Sequence, residues 1–401
     1  MKVLLQNLRG DKAIWAIVAL LALFSFLPVY SASTNLVYIR DSGTTISHLV
    51  KHGVLLFLGF LIIYAVHRIP THYFKGLSVM TMPIIIPLLA YTLTVETQIG
   101  EATANRWIRI PVIGVNFQTS TLASVVLMIW IARYLSKVYD KEIGFIESIL
   151  PLWTPIALVI ILILPENFST AAILALLALI LCFMGGYPLK YLMGIVGVGL
   201  LSATLFLTIL FTAPDKIPSQ RALTWKNRIE NFIYPERATA DASRQVEYAK
   251  MAVAEGGLIG KGAGKSVMKN LLSQSTSDFI FAIIIEEYGL VGGLGLLFFY
   301  LLLLFRIVVV ANSAKSIFAK FLVIGVGLPI VFQAFINMAV VVELFPTTGQ
   351  PLPLISMGGT SIWMTCLAIG IVLSASDKKQ EELQSAKIDD SNPLEVLSGQ
   401  L

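Results

Sequence analysis

Ser275-Thr276-Ser277-Asp278 runs directly into the apolar stretch Phe279 to Ile285. A carboxylate at such a boundary is half out of water, and ionisable groups at the edge of apolar runs mark cavities and functional sites. Two compatible roles fit Asp278. One is the N-cap of the following helix, which Ser, Thr and Asp all favour. The other is a general base acting on a substrate held at a membrane surface. Glu286 and Glu287 follow in the same run. On a regular helix they lie roughly 80° and 180° around from Asp278 and about 12 Å further along. No close carboxylate pair forms there, which disfavours a retaining double displacement, whose two carboxyls stand about 5 Å apart. A single base with inversion fits better. For the two glutamates, a structural place in a polar bundle interior stands beside direct contact with substrate.

Two further segments offer charge. Gly256-Gly257-Leu258-Ile259-Gly260-Lys261-Gly262-Ala263-Gly264-Lys265-Ser266 has the composition of a phosphate loop without its spacing, since Ile259 stands where the first glycine belongs. Nucleotide binding is disfavoured, yet backbone N–H groups and two lysines there offer a close approach to a pyrophosphate. In Asn105-Arg106-Trp107-Ile108-Arg109, Trp107 reads as an interfacial anchor. Arg106 is either a loop-pairing residue or an anion ligand. A third segment, Leu344 to Ser361, places three prolines and three glycines between long hydrophobic runs. Backbone of that kind survives at membrane depth only where protein buries it or a cavity faces it.

These groups must be positioned by membrane helices. Of 401 residues, 56% are hydrophobic and 13% charged, with a mean hydropathy of +0.81; a soluble domain carries about 25% charged residues. The expected fold is an all-α polytopic membrane protein. Ten apolar runs are candidate spans: 13–32, 48–67, 78–96, 119–136, 149–165, 169–186, 191–212, 278–305, 321–343 and 359–375. The first is read as an uncleaved span, not a signal peptide. The eighth is longer than the roughly 20 residues a span needs, so it must tilt or break, with Gly289, Gly292 and Gly293 as the place. Cys182 and Cys366 lie inside apolar runs and read as small buried hydrophobes.

The net charge of +5 lies largely in short loops and sets orientation; it is no sign of nucleic acid as a partner. Lys2, Arg9 and Lys12 share a side with Arg68, Lys75, Arg133, Lys137, Lys141, Lys190, Lys315, Lys320, Lys378 and Lys379. With ten spans both termini are then cytoplasmic, and 32–48, 97–118, 213–277 and 344–358 face outward. The 213–277 loop between the seventh and eighth spans carries ten Lys/Arg against six Asp/Glu. That makes it either an ordinary solvated loop or a holder of an anionic ligand. Residues 1–376 form one transmembrane domain, and 377–401 a polar, disordered cytoplasmic tail.

Taken together and in this order, Asn105 to Ile108, Pro165 with Ser169-Thr170-Ala171, Gln245 with Ala254 to Gly262, Thr276 to Ala282 with Glu286 to Gly289, Gln333, Asn337 and Pro346 to Ser361 resemble the SEDS family of shape, elongation, division and sporulation proteins. The resemblance covers nearly the whole chain. It implies a peptidoglycan glycosyltransferase of the bacterial inner membrane that polymerises lipid II into β-1,4 glycan and releases undecaprenyl pyrophosphate. It places Asp278 on the family's essential aspartate. It implies substrate contacts at Arg106, Trp107, Gln118, Arg244, Gln245, Lys261, Lys265, Glu287, Ser356, Gly358, Gly359 and Thr360. Arg106, Arg244, Lys261 and Lys265 are the candidates to meet the leaving pyrophosphate, with a divalent cation (Mg or Mn) as the cofactor and no organic one. The implied partners are a class B penicillin-binding transpeptidase and other divisome membrane proteins. Val29 to Ser33 resembles the division branch typified by FtsW; Thr348-Gly349-Gln350-Pro351 is nearer the elongation branch typified by RodA, and the division branch is favoured. The chain departs from the family's pattern at Thr121 and Ser124, where a Glu and a Lys are usual, at Leu272 to Ser275, which lacks the usual Pro-Glu, and at Met357, usually Tyr. Competing expectations are a lipid II flippase and a non-catalytic scaffold.

Overall fold

The computed structural model describes residues 8–40, 43–94, 98–99, 102–103, 107–109, 116–212, 220–234, 240–272 and 274–377. Eight helices are long and apolar enough to cross a membrane. They are α1 (Lys12–Arg40), α2 (Thr45–Val66), α3 (Thr71–Thr94), α4 (Thr119–Val138), α5 (Phe145–Ile163), α7 (Leu189–Thr212), α10 (Ile280–Ser313) and α11 (Ile317–Val341). Two shorter apolar helices, α6 (Phe168–Met184) and α12 (Thr360–Ala375), complete the ten expected spans. The chain is a multi-pass helical membrane protein. The helix of the first span runs on beyond residue 32, to Arg40.

The 213–277 segment is not a plain loop. It carries α8 (Gln220–Ile233), α9 (Ala240–Gly256) and a 3-10 turn at Met268–Asn270. On α8, Trp225, Ile229, Phe232 and Ile233 fall on one helical face, the spacing of an amphipathic surface helix. Between α3 and α4 the chain forms two short antiparallel pairs, β1 (Gln98–Ile99) with β2 (Ala102–Thr103) and β3 (Trp107–Arg109) with β4 (Asn116–Gln118).

The helix α11 is the centre of the bundle, with 67% of its apolar window buried, whereas α7 has 6%. Small residues let the central helices approach closely, as membrane interfaces require. A Cβ at Gly325 would stand 3.0 Å from Leu181 on α6 and 3.3 Å from the Met128 carbonyl on α4. One at Gly59 would stand 2.7 Å from Cys366 Sγ, which joins α2 to α12. Both cysteines are buried and free. The start of α1 meets the end of α12: Asp11 N donates to Ser376 Oγ at 2.8 Å, and the Asp11 carboxylate pairs with Arg306 while capping α1 at Ala13 N and Ile14 N.

Helix α10 spans 34 residues, about 51 Å at 1.5 Å per residue, well beyond a hydrocarbon core of about 30 Å. It breaks where expected. Gly289 has φ 67° and ψ −168°, a backbone open to glycine and strained for other residues. The break cuts off a half-helix, 280–288, which follows directly on the turn that carries Asp278. This half-helix and the late loop 342–359 build the site.

Candidate functional site

The late loop enters from α11, runs through Pro346, Pro351 and Pro353, and turns into α12. Its backbone cannot form a helix ladder, so its polar groups need other partners at this depth. They find them in the turn before α10. Met357 N donates to Thr276 O at 2.9 Å. Ser356 Oγ donates to Ser277 O at 2.6 Å and accepts from Leu352 N at 2.8 Å. Asn337 Nδ2, from α11, donates to Asp278 O at 2.8 Å and to Gln350 O at 2.7 Å. Gln333 Nε2 donates to Pro351 O and Gln350 Nε2 to Thr170 Oγ1, each at 2.7 Å. Tyr300 holds the Pro353 carbonyl. Leu354, buried in this loop, takes φ 64°, which the surrounding bonds must enforce.

Three consecutive carbonyls, of Thr276, Ser277 and Asp278, are thus pinned, and the Asp278 side chain is left half-exposed. A Cβ at Gly349 would stand 3.4 Å from Asp278 Oδ2, so the carboxylate lies against the loop's glycine. The expected capping role is corrected: the N-cap of α10 is Phe279, which makes no side-chain capping bond. Below the loop a cavity of about 80 Å³ opens between α4, α6, α11 and α12. Its polar lining includes Thr121, Ser124, Thr170, Gln333 and Gln350. The two departures at Thr121 and Ser124 therefore face a cavity that reaches the late loop at Gln350.

The other expected site residues fall into three groups. Trp107 and Gln118 are brought together as register partners in the β3–β4 pair. Thr360 fixes that pair to the late loop, accepting from Gln118 N and donating to Asn116 O, each at 3.2 Å. Thr360 and Ser356 are buried, at 0% and 1% exposed. Their hydroxyls hold backbone, whereas Gly358 and Gly359 are half-exposed. Arg244 and Lys265 are exposed and Gln245 half-buried. Arg106 lies outside the described residues.

The third group centres on the glycine loop, whose expected approach to a pyrophosphate is corrected. Lys261 N and Gly262 N donate to Glu286 O and Glu287 O, both at 2.9 Å, and Leu290 N donates back to Gly257 O at 2.9 Å. The loop's backbone is bound to the broken stretch of α10. A Cβ at Gly256 would stand 2.2 Å from Ile285 O, and one at Gly260 2.3 Å from Glu287 O. Gly260→Ala, also at φ +86°, should therefore unseat the loop and lower the melting temperature strongly. Gly257→Ala meets nothing within 4 Å and should cost only left-handed backbone strain, about 1 kcal/mol. Thermal melting of the two variants side by side checks the contrast.

Glu286, 0% exposed, accepts from Lys261 Nζ at 3.1 Å, Val267 N at 2.9 Å, Met268 N at 3.3 Å and the Ser266 hydroxyl. Glu287, 1% exposed, accepts from Ser266 N at 3.3 Å and from the Ser31 hydroxyl of α1. Lys269 Nζ reaches Ser31 Oγ at 3.1 Å and Gly264 O at 2.7 Å. Both glutamates therefore serve the fold, as does Lys261, held between Glu255 and Glu286. Hydrogen bonds to Glu255 and then to Glu286 keep the Lys261 pKa above its ordinary 10.5. The stability this lysine adds is complete below pH 10.5 and fades as pH climbs through the raised value. A melting series carried past that pH should show the fall, and Lys261→Met should remove it.

Asn337, Gln350 and Thr170 join the site although the motif reading assigns them no role there. The signal that finds Asn337 and Gln333 is a polar side chain in the middle of an apolar run, four residues apart on one helix face.

Ten apolar helices, with a half-exposed carboxylate on a turn whose backbone carbonyls are pinned, define a polytopic membrane protein with an enzyme-like site. The family model described as "Cell cycle protein", covering FtsW, RodA and SpoVE, matches residues 11–381, and the chain belongs to this family. It is 32% identical over 375 residues to the "Probable peptidoglycan glycosyltransferase FtsW" of Geobacter sulfurreducens, covering 92% of this chain and 96% of the relative. The protein of the same description from Hydrogenovibrio crunogenus is 28% identical over 392 residues, with 96% and 97% covered. Among solved structures, a chain from "Structural coordination of polymerization and crosslinking by a peptidoglycan synthase complex" superposes with TM-score 0.70 at 24% identity, covering 92% and 98%. The rod shape determining protein RodA of Thermus thermophilus superposes with TM-score 0.64 at 23% identity, covering 91% and 96%. Both share the fold.

Proposed function

We propose that this chain is a peptidoglycan glycosyltransferase that polymerises lipid II, with Asp278 as its general base. The observation that carries the reading is the half-exposed Asp278 carboxylate on a turn whose three carbonyls are pinned, in a chain whose relatives are described as peptidoglycan glycosyltransferases. Asp278 takes the proton from the 4-hydroxyl of an acceptor GlcNAc. That oxygen attacks the anomeric carbon of the donor MurNAc from the face opposite the pyrophosphate. The C1–O bond breaks, undecaprenyl pyrophosphate leaves with the electron pair, and the new linkage is β-1,4. A base fixed in place supports such a displacement by orientation as well as by proton transfer.

Among the described residues no three His, Cys, Asp or Glu side chains converge on one point. A divalent cation that takes most of its oxygens from the substrate's pyrophosphate and water needs no such cluster, and Mg or Mn is proposed as the cofactor. With Lys261 held in the fold, Arg106, Arg244 and Lys265 remain the cations proposed for the departing pyrophosphate.

The short loops rich in Lys and Arg support cytoplasmic termini and a site on the outer face of the bacterial inner membrane. The reading includes a division role, and as partner a class B penicillin-binding transpeptidase together with other divisome proteins. The test is glycan-strand formation from lipid II by the purified chain in lipid vesicles, alone and with that transpeptidase. Polymer is the expected result. Lipid II carried across the vesicle without polymer, with or without the partner, would replace the reading with transport; neither polymer nor transport would replace it with a scaffold.

A further inference from the structure

Asn337 sits on α11, the best buried span, and is itself 2% exposed. Both of its amide hydrogens are committed, one to Asp278 O at 2.8 Å and one to Gln350 O at 2.7 Å. Both partners are carbonyl oxygens, which accept only. The atom facing them must therefore be the nitrogen, and the orientation of the amide is fixed without reference to hydrogen positions. Its own Oδ1 is buried without a hydrogen-bond partner. A buried polar atom left unpaired carries a free-energy cost, so the side chain is kept for its two donors.

Those two bonds tie together the two loops that face each other across the carboxylate. One loop carries Asp278. The other carries Gly349, against which Oδ2 lies. We infer that Asn337 is a positioning residue for the reaction: one buried amide sets the Asp278 turn and the Gly349–Gln350 loop at a fixed separation and so aims the base. This rests on Asp278 being the base, as proposed above. Ser356 makes the neighbouring pin, on Ser277 O, from the late loop itself. It steadies the same turn but does not join it to α11.

Three substitutions follow. Asn337→Asp keeps the shape and replaces the one nitrogen that makes both donations with an oxygen facing two carbonyls. Asn337→Ala removes the amide. Ser356→Ala removes the neighbouring pin and serves where an Asn337 variant does not fold. All are assayed as the full chain in lipid nanodiscs with the transpeptidase. The readouts are kcat and KM for lipid II, rate per molecule competent to bind lipid II, and melting temperature. A misplaced catalytic group loses about 100-fold in rate for an error of about 1 Å. The expected result for both Asn337 variants is that scale of loss in kcat per binding-competent molecule, with KM within about 3-fold of wild type, since the binding surface is left in place. Ser356→Ala should show a smaller loss of the same kind. A merely structural role lowers the folded fraction and leaves the rate per competent molecule unchanged; that outcome overturns the inference. So does a well-folded Asn337→Asp with wild-type kcat. Asp278→Asn is run beside them. If it polymerises normally, the assignment of the base fails and takes this inference with it. If it is inactive while the Asn337 variants are fully active, only the positioning role fails.

Discussion

Asp278→Asn should abolish glycan-strand formation while the protein melts as wild type does. The substitution removes the proton acceptor and leaves the three backbone bonds of the turn in place. All three pinned bonds at 276–278 run through backbone carbonyls, and Phe279, not Asp278, begins the helix. Positioned general bases contribute about 10²–10⁴-fold, and a loss of that size leaves no strand detectable on a gel. Asp278→Glu sharpens the experiment. It keeps the carboxylate but pushes it one methylene further, in a place where Oδ2 already lies against Gly349. It should recover a small part of the rate at most. If the Asn variant makes polymer at the wild-type rate in the presence of the transpeptidase, another group takes the proton.

The second large effect concerns folding. Glu286→Ala should destabilise the chain by on the order of 3–5 kcal/mol, because it strips a buried acceptor from Ser266, Val267 and Met268 together and leaves those donors unpaired. Glu286→Gln should do little better, since its amide places hydrogens toward donors. Glu255 is the internal control. It pairs with the same lysine from a side chain 42% exposed, and exposed pairs add little, so Glu255→Gln should melt close to wild type. Equal losses at the two positions would mean that the glycine loop is held by the lysine alone.

Much of this architecture was legible in residue order because the bilayer restricts what a sequence can do. Apolar runs of span length must be helices, and Gly289 in a run too long to cross once had to break it. Asp278 could be picked out because a carboxylate entering such a run is rare. What stayed hidden depends on which backbone meets which. The glycines of 256–264 have the composition of an anion cradle, and composition alone does not distinguish a ligand's approach from a neighbouring helix's. Only the fold shows Ile285 O and Glu287 O in that space. Ser356 and Thr360 are expected substrate contacts, but the fold turns both hydroxyls to backbone. Asn337 lies 59 residues from Asp278, and no local pattern records that pairing.

The sparse burial of α7 has a consequence of its own. With 6% of its apolar window covered by protein, this helix has almost no side-chain packing to fix its angle. Its 24 residues measure about 36 Å, longer than a hydrocarbon core of about 30 Å. Hydrophobic mismatch with the surrounding acyl chains therefore sets its tilt. The helix leads into α8, whose Trp225 rests on Phe206 of α7 and Phe168 of α6. Varying acyl-chain length at constant headgroup should therefore shift the tilt of α7 and with it the contact of Trp225 on Phe206.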